Sequence, residues 1–143
     1  MSQAIAARRK SRRFVLQALY QMALTGASAA DAEKEFLEEH NMQRADKAYF
    51  HELLAGVEKQ RSAIDERIAS AIDRDIKELG HIEVSILRMG VFELMNRIDI
   101  PFRVVLNEHI DMARSFGAAE SHRFVNSVLD RLSREIRKTE NRS

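Results

Sequence analysis

The sequence predicts an all-α protein, and three observations carry that expectation. There is a single proline, Pro101, in 143 residues. The five glycines, Gly26, Gly56, Gly80, Gly90 and Gly117, are too sparse to punctuate a set of short strands. The apolar residues recur at intervals of three and four, the period of one face of a helix. The expected arrangement is a compact bundle of about seven helices, and a chain of this length suits one domain that buries about two-thirds of its unfolded surface.

Each element has its own signal. Val15, Ala18, Leu19 and Met22 share a helical face, which predicts a helix from about residue 5 to 25 that Gly26 closes. Asp31 is expected to cap a shorter helix containing Phe36 and Leu37. Tyr49, Phe50, Leu53, Leu54 and Val57 mark a third helix, and Ile64, Ile68 and Ile72 a fourth. Ile82, Ile86, Met89 and Phe92 or Leu94 define an apolar helix over about 81–97, in which Gly90 permits close contact with a neighbour. Phe102 to Leu106 has the composition of a buried strand, but Phe102, Val105, Leu106, Ile110, Ala113 and Phe116 continue one helical stripe, so helix wins on length. Pro101 suits the start of that helix and Gly117 its end. Phe124, Val125, Val128, Leu129 and Leu132 form the last helix, and the polar tail from about 137 to 143 is expected to fray. No repeat or linker divides residues 1–143, although the acidic stretch from Asp31 to Asp46 is a candidate boundary between two packed halves.

Charge is distributed unevenly. Arg8, Arg9, Lys10, Arg12 and Arg13 all precede the first carboxylate, Asp31, so a basic arm over about residues 1–13 opens a chain whose net charge is only +1. The remaining residues hold 18 basic and 22 acidic groups and are net acidic. Clustered guanidinium groups leading into an ordered apolar stretch suit phosphate backbones, which reward them through counterion release. With no cysteine, thiolate and disulfide chemistry are excluded, in keeping with a reducing, cytoplasmic setting. The segment Phe14 to Leu24 before Ala27-Ser28-Ala29-Ala30 has some features of a signal peptide, but Gln17, Tyr20 and Gln21 interrupt it on one side only, as in an amphipathic folded helix. No apolar stretch approaches the roughly 18 residues that span a bilayer.

The first helix is the richest candidate site. Arg9, Arg12, Arg13, Leu16 and Tyr20 lie within about a third of its circumference, which puts an aromatic ring at the end of a basic row. Single-stranded RNA is held by such an arrangement, with cations on phosphates and a base on the ring. Two readings of Tyr20 stand side by side: a stacking platform, or a core ring with its hydroxyl at the surface. Catalytic signals are lacking. There is no phosphate-binding glycine loop, no His-Glu-x-x-His and no nucleophile elbow, and His40, His51, His81, His109 and His122 lack metal-ligand spacing. A binding protein is expected, without metal or enzymatic activity.

Several segments together resemble the bacterial NusB antitermination factors. They are Ala7-Arg8-Arg9 with Gln17-Ala18-Leu19-Tyr20, Tyr49-Phe50 with Leu53-Leu54-Ala55-Gly56-Val57, and Glu78-Leu79-Gly80 leading to Leu87-Arg88. Asn107-Glu108, Ala113-Arg114-Ser115-Phe116-Gly117 and Ser121 to Asp130 complete the ordered set. The match is poor over residues 26–44 and 60–75, and Arg13 departs from an often acidic position.

The resemblance implies an all-helical fold of two small helical halves that needs no cofactor. It implies binding of boxA RNA in ribosomal RNA leader transcripts together with NusE, a small-subunit ribosomal protein, within a complex of other Nus factors on RNA polymerase that reads through terminators. By position it implies RNA contacts from Arg8, Arg9, Arg12 and Tyr20 in the arm, with Arg13 beside them, from Arg88, and from Phe116, Glu120 and Phe124. It implies a NusE contact from Glu83. Periodicity by itself also fits Phe116 and Phe124 to the core. Two rival classes are an accessory module related to the N-terminal domain of ribosomal RNA methyltransferases and a structural homodimer whose basic arm is merely a solvated face. The first would need a glycine-rich cofactor region that this sequence lacks.

Overall fold

Local hydrogen bonds set the helix boundaries. The computed structural model describes residues 2 to 140. Among these residues there are seven α-helices, one short 3₁₀ turn at Ile76–Glu78 and no strand, which meets the all-α expectation. The helices are α1 (Gln3–Thr25), α2 (Ala29–Glu39), α3 (Lys47–Lys59), α4 (Arg61–Ser70), α5 (His81–Asn96), α6 (Phe102–Phe116) and α7 (Ser121–Ile136). Ser2 Oγ caps α1 by accepting from the Ile5 amide at 3.1 Å. Gly26 ends it in the left-handed region at φ 77°, where a residue without Cβ is least strained, and donates to the Met22 carbonyl at 2.8 Å. Helix α2 corrects the expected start: Ser28 Oγ is the cap, accepting from the Asp31 amide at 3.1 Å. Asp31 lies in the first turn, where its negative charge still suits the helix dipole.

The chain divides into two compact units, Met1–Gln60 and Arg61–Ser143. The boundary falls between α3 and α4 and not in the acidic stretch Asp31 to Asp46. That stretch is part of the first unit because α2 is amphipathic: Ala29, Ala32 and Phe36 are buried, Asp31, Glu38 and Glu39 are exposed, and the half-buried Glu33 and Glu35 bond to His51 of α3 and Gln21 of α1.

In the first unit, Val15, Leu16 and Ala18 of α1 meet a core of Phe36, Phe50, Leu53, Leu54 and Val57. The Phe36 ring stacks on His40 at 4.2 Å and takes the edge of Phe14 at 6.4 Å. Leu37, expected in this helix beside Phe36, is 43% exposed. Polar ties supplement the apolar contacts. Ser11 Oγ donates to the Asp46 carbonyl at 2.6 Å, fastening α1 to the start of α3. Glu58 Oε2 accepts from the Ala29 amide at 2.7 Å, fastening the start of α2 to α3.

In the second unit α5 is apolar nearly all round and packs against α4, α6 and α7. A Cβ at Gly90 would come 2.9 Å and 3.0 Å from the methyls of Leu129, so the glycine allows the close α5–α7 approach expected of it. Two polar groups are enclosed here. His109 Nδ1 donates to the Val105 carbonyl at 2.7 Å, and its Nε2 lies 3.6 Å from the Glu93 carboxylate, with both side chains fully buried. Ile72 corrects the stripe of the fourth helix: α4 stops at Ser70, and Ile72 is half-buried in the loop beyond.

Residues 141–143 of the tail expected to fray lie outside the described residues, and in the preceding stretch Arg137 and Glu140 make specific contacts. Arg137 is 3% exposed. Its guanidinium donates to the carbonyls of Leu94 at 2.7 Å, Ile100 at 2.9 Å, Arg97 at 3.0 Å and Glu93 at 3.1 Å. These include carbonyls at the C-terminal end of α5, where the Glu93 carbonyl also accepts from the Arg97 amide at 2.9 Å, and a cation there meets the negative end of the dipole. Glu140 accepts from Arg137 through one oxygen and from the Phe102 amide, the first of α6, through the other at 2.8 Å. One ion pair thus fastens the end of α5 and the start of α6.

Arg137→Met keeps much of the side-chain volume and removes all five donors. Four buried carbonyls lose a charged partner, so stability should fall by about 2 to 4 kcal/mol. Urea unfolding of both proteins checks this as a lower midpoint at unchanged slope.

Candidate nucleic-acid interface

The basic row of α1 lies across the border between core and solvent. At about 100° per residue the order round the helix is Arg12, Leu16, Arg9, Tyr20, Arg13. Burial follows that order: Arg12 and Leu16 are buried, Arg9 is half-buried, and Tyr20 and Arg13 are exposed. The row is therefore two things. Its inner edge is structural, because Arg12, 3% exposed, lies over the Tyr49 ring at 5.6 Å, and Arg8 lies over the same ring at 4.8 Å. Cations on an aromatic face in a desolvated setting attract through the ring quadrupole. Its outer edge presents Arg13, Lys10 and Tyr20 to solvent beside Arg9.

Arg12, expected among the RNA contacts, is buried in this structure with its guanidinium over the Tyr49 ring. Its methylene stem and guanidinium complete the core over Tyr49. For Tyr20 the alternatives separate: the ring is 39% exposed at the outer edge of α1, so it is not a core element. The buried aromatic of this region is Tyr49, at 3%.

The other candidates belong to the second unit. Arg88 is held by Asp65 in a two-pronged pair, Nε to Oδ1 at 2.8 Å and Nη2 to Oδ2 at 3.0 Å, and Arg61 reaches the same carboxylate at 3.2 Å. Arg88 thus ties α5 to α4. Phe116, assigned to the core by periodicity, is 42% exposed at the end of α6. The turn that follows it is tight: a Cβ at Gly117 would come 2.8 Å from the Ala113 carbonyl oxygen and 2.9 Å from Ser121 Cβ. That close approach is what requires the glycine. Glu120 is exposed and pairs with Arg123 at 3.2 Å. Phe124 is half-buried in the first turn of α7, with the Arg74 guanidinium 4.6 Å above its ring. The same guanidinium lies 3.8 Å from the carboxylate of Glu83, in the first turn of α5.

Sequence reading missed Arg74, Asp65 and the structural use of Arg12. Arg74 sits in a charged loop between Asp73 and Asp75 with no periodic signal. Asp65 follows Ile64 on a helix too weakly amphipathic to orient it. Among the described residues no group of His, Asp and Glu side chains is arranged to hold a metal ion. The arrangement offers cations and partly exposed rings, which suits binding of a phosphate backbone and unstacked bases.

The two edges of α1 should respond differently to truncation. Arg12→Ala removes a buried stem and a desolvated cation on Tyr49 and should cost about 1 to 3 kcal/mol of stability, whereas Arg13→Ala should stay within about 0.5 kcal/mol of the parent. Thermal unfolding of the two variants checks the ordering. Equal effects would remove the division of the row.

Comparison with known proteins places the chain in a family. The model of the NusB family matches residues 9–134. A relative from Alcanivorax borkumensis, named transcription antitermination protein NusB, is 49% identical over 94% of this chain and 89% of its own length. A solved structure of NusB from T. maritima superposes with a TM-score of 0.81 at 29% identity, covering 90% of this chain and 91% of that one. A crystal structure of the antitermination factors NusB and NusE in complex with dsRNA superposes at 0.80 with 27% identity, covering 89% and 96%. With the family match spanning most of its length and close to half of its residues shared with that relative, the chain belongs to the NusB family.

Proposed function

We propose that this chain is a transcription antitermination factor that binds boxA-type RNA jointly with a NusE-type ribosomal protein. It is a binding protein and not an enzyme. The observation that carries the RNA reading is the outer edge of α1, where Tyr20 is exposed beside Arg9 and Arg13 in a member of the NusB family. The naming of its relatives supports antitermination, and the neighbour solved with NusE and dsRNA supports a NusE-type partner and RNA as the ligand class.

Arg9, Lys10 and Arg13 supply phosphate attraction together with the half-buried Arg8, whose guanidinium also lies over Tyr49, and Tyr20 supplies a stacking face. In the second unit Phe116 and Phe124 are the stacking candidates, with Arg88 and Glu120 near the strand and Glu83 toward the protein partner. Arg12 holds Tyr49 and shapes the face from behind. Partly exposed rings favour a single strand, because an A-form duplex keeps its bases stacked and is read by shape and backbone. Phosphate contacts position a strand and base contacts specify it. A short cationic helix therefore gains selectivity when a second protein extends the surface. On this reading other Nus factors and RNA polymerase complete the assembly in the cytoplasm. Among the described residues no helix is long and apolar enough to cross a membrane.

Four arm cations on a single strand, each releasing about 0.7 counterions, should give a slope near −3 for log affinity against log salt. Titration of a labelled boxA-type RNA over a salt series reads the slope directly, and a value near zero would remove the arm from the contact surface. Tyr20→Ala should weaken the same RNA by about 1 to 3 kcal/mol with little change in melting temperature, since the ring is exposed. Tyr20→Phe should keep most of the affinity. A Tyr20→Asp protein that folds and binds as tightly as the parent would show that the face is misassigned.

A further inference from the structure

Arg74 in the second unit touches both a proposed RNA contact and the proposed partner contact. Its guanidinium lies over the Phe124 ring at 4.6 Å and 3.8 Å from the Glu83 carboxylate. Three segments meet at this point: the loop between α4 and the 3₁₀ turn, the first turn of α5 and the first turn of α7. The arginine is 43% exposed and Glu83 18%, so both remain within reach of a second macromolecule.

We propose that Arg74 is a positioning residue that couples protein-partner binding at Glu83 to RNA binding at Phe124. The inference rests on the function proposed above. In the free protein the Glu83 carboxylate offsets the Arg74 charge, and the guanidinium covers one face of the Phe124 ring. A donor from the protein partner that engages Glu83 withdraws the carboxylate from this pair. The guanidinium then keeps its place on the ring with its charge no longer offset, next to the site where a base stacks and a phosphate follows. A guanidinium plane can itself carry a stacked base, so Phe124 and Arg74 form a two-layer platform whose charge depends on the partner. RNA bound there holds Arg74 away from Glu83 in turn, which leaves the carboxylate open to the partner. Linkage requires the two effects to be equal in size.

The test measures the affinity of the full chain for a boxA-type single strand with and without saturating NusE-type protein. It compares the parent, Arg74→Gln and Arg74→Lys. The ion pair is partly exposed, so the partner-dependent gain in RNA affinity should be smaller in Arg74→Gln by about two- to fivefold. The gain in partner affinity caused by RNA should shrink by the same factor. Arg74→Lys keeps the charge and loses the planar stack, and should retain more of the gain than glutamine does. A purely structural role would weaken RNA equally with and without the partner. A gain in Arg74→Gln equal to that of the parent, or a loss in lysine as complete as in glutamine, would overturn the coupling while leaving the proposed function intact. A parent protein that binds neither RNA nor the partner would overturn the proposed function, and this inference with it.

Discussion

The second unit depends on where α5 stops and α6 begins, and a partly buried ion pair just past α7 fastens both ends. Helix α5 is apolar on nearly every face, and Gly90 within it permits close packing without ending the helix. Arg137 fastens its end by collecting the carbonyls of Glu93, Leu94, Arg97 and Ile100. Glu140 then satisfies the first amide of α6. Because both helix ends are tied to residues just past α7, three helices share one junction. The axis that carries Glu83 and Arg88 is held at its far end by that junction.

Arginine recurs at every consequential point, and what differs is the partner each guanidinium finds. Arg12 is enclosed over Tyr49, Arg88 is forked on Asp65, Arg137 is spent on carbonyls and Arg74 lies between a ring and a carboxylate. Among the described groups proposed for RNA, Arg13 and Lys10 on the outer edge of α1 are exposed. A net charge of +1 is therefore compatible with a nucleic-acid face, because several of the chain's cations are used to build the scaffold that displays the others. The same planar group suits both tasks: it pairs with two acceptors at once and stacks on rings.

The helices were legible where chain chemistry is local. Gly26 ends α1, Pro101 and Gly117 bracket α6, and Gly90 marks a close helix contact, each from a property of the single residue. Legibility failed where a residue's role depends on a distant partner. Nothing in the polar segment after Ile136 separates a buried Arg137 from a solvated one, since its acceptors lie some forty positions earlier. Arg12 looked equivalent to Arg13 because helical spacing gives the angle between two residues and not the direction of the core. Phe116 followed the apolar stripe of α6, yet the stripe runs out of neighbours at the tight turn of Gly117, which leaves the ring 42% exposed. The boundary after Gln60 carries no glycine or proline, so composition drew attention to the acidic segment instead. The family resemblance made candidates of Arg88, Phe124 and Glu83, while their actual neighbours, Asp65 and Arg74, lie in the stretch where the resemblance is weakest.

The central claim of the proposed function is that RNA contacts the outer edge of α1 in the first unit and, in the second unit, the rings of Phe116 and Phe124. Mapping backbone and side-chain chemical shifts of the full chain during titration with a boxA-type single strand, alongside a duplex of the same sequence, tests it most directly. The account predicts that the single strand shifts Arg9, Arg13, Tyr20, Phe116 and Phe124 more strongly than the duplex does, and leaves the buried Arg12 and Arg137 side chains nearly unmoved. Shifts confined to other surfaces, or a duplex that perturbs these residues as strongly as the single strand, would contradict it.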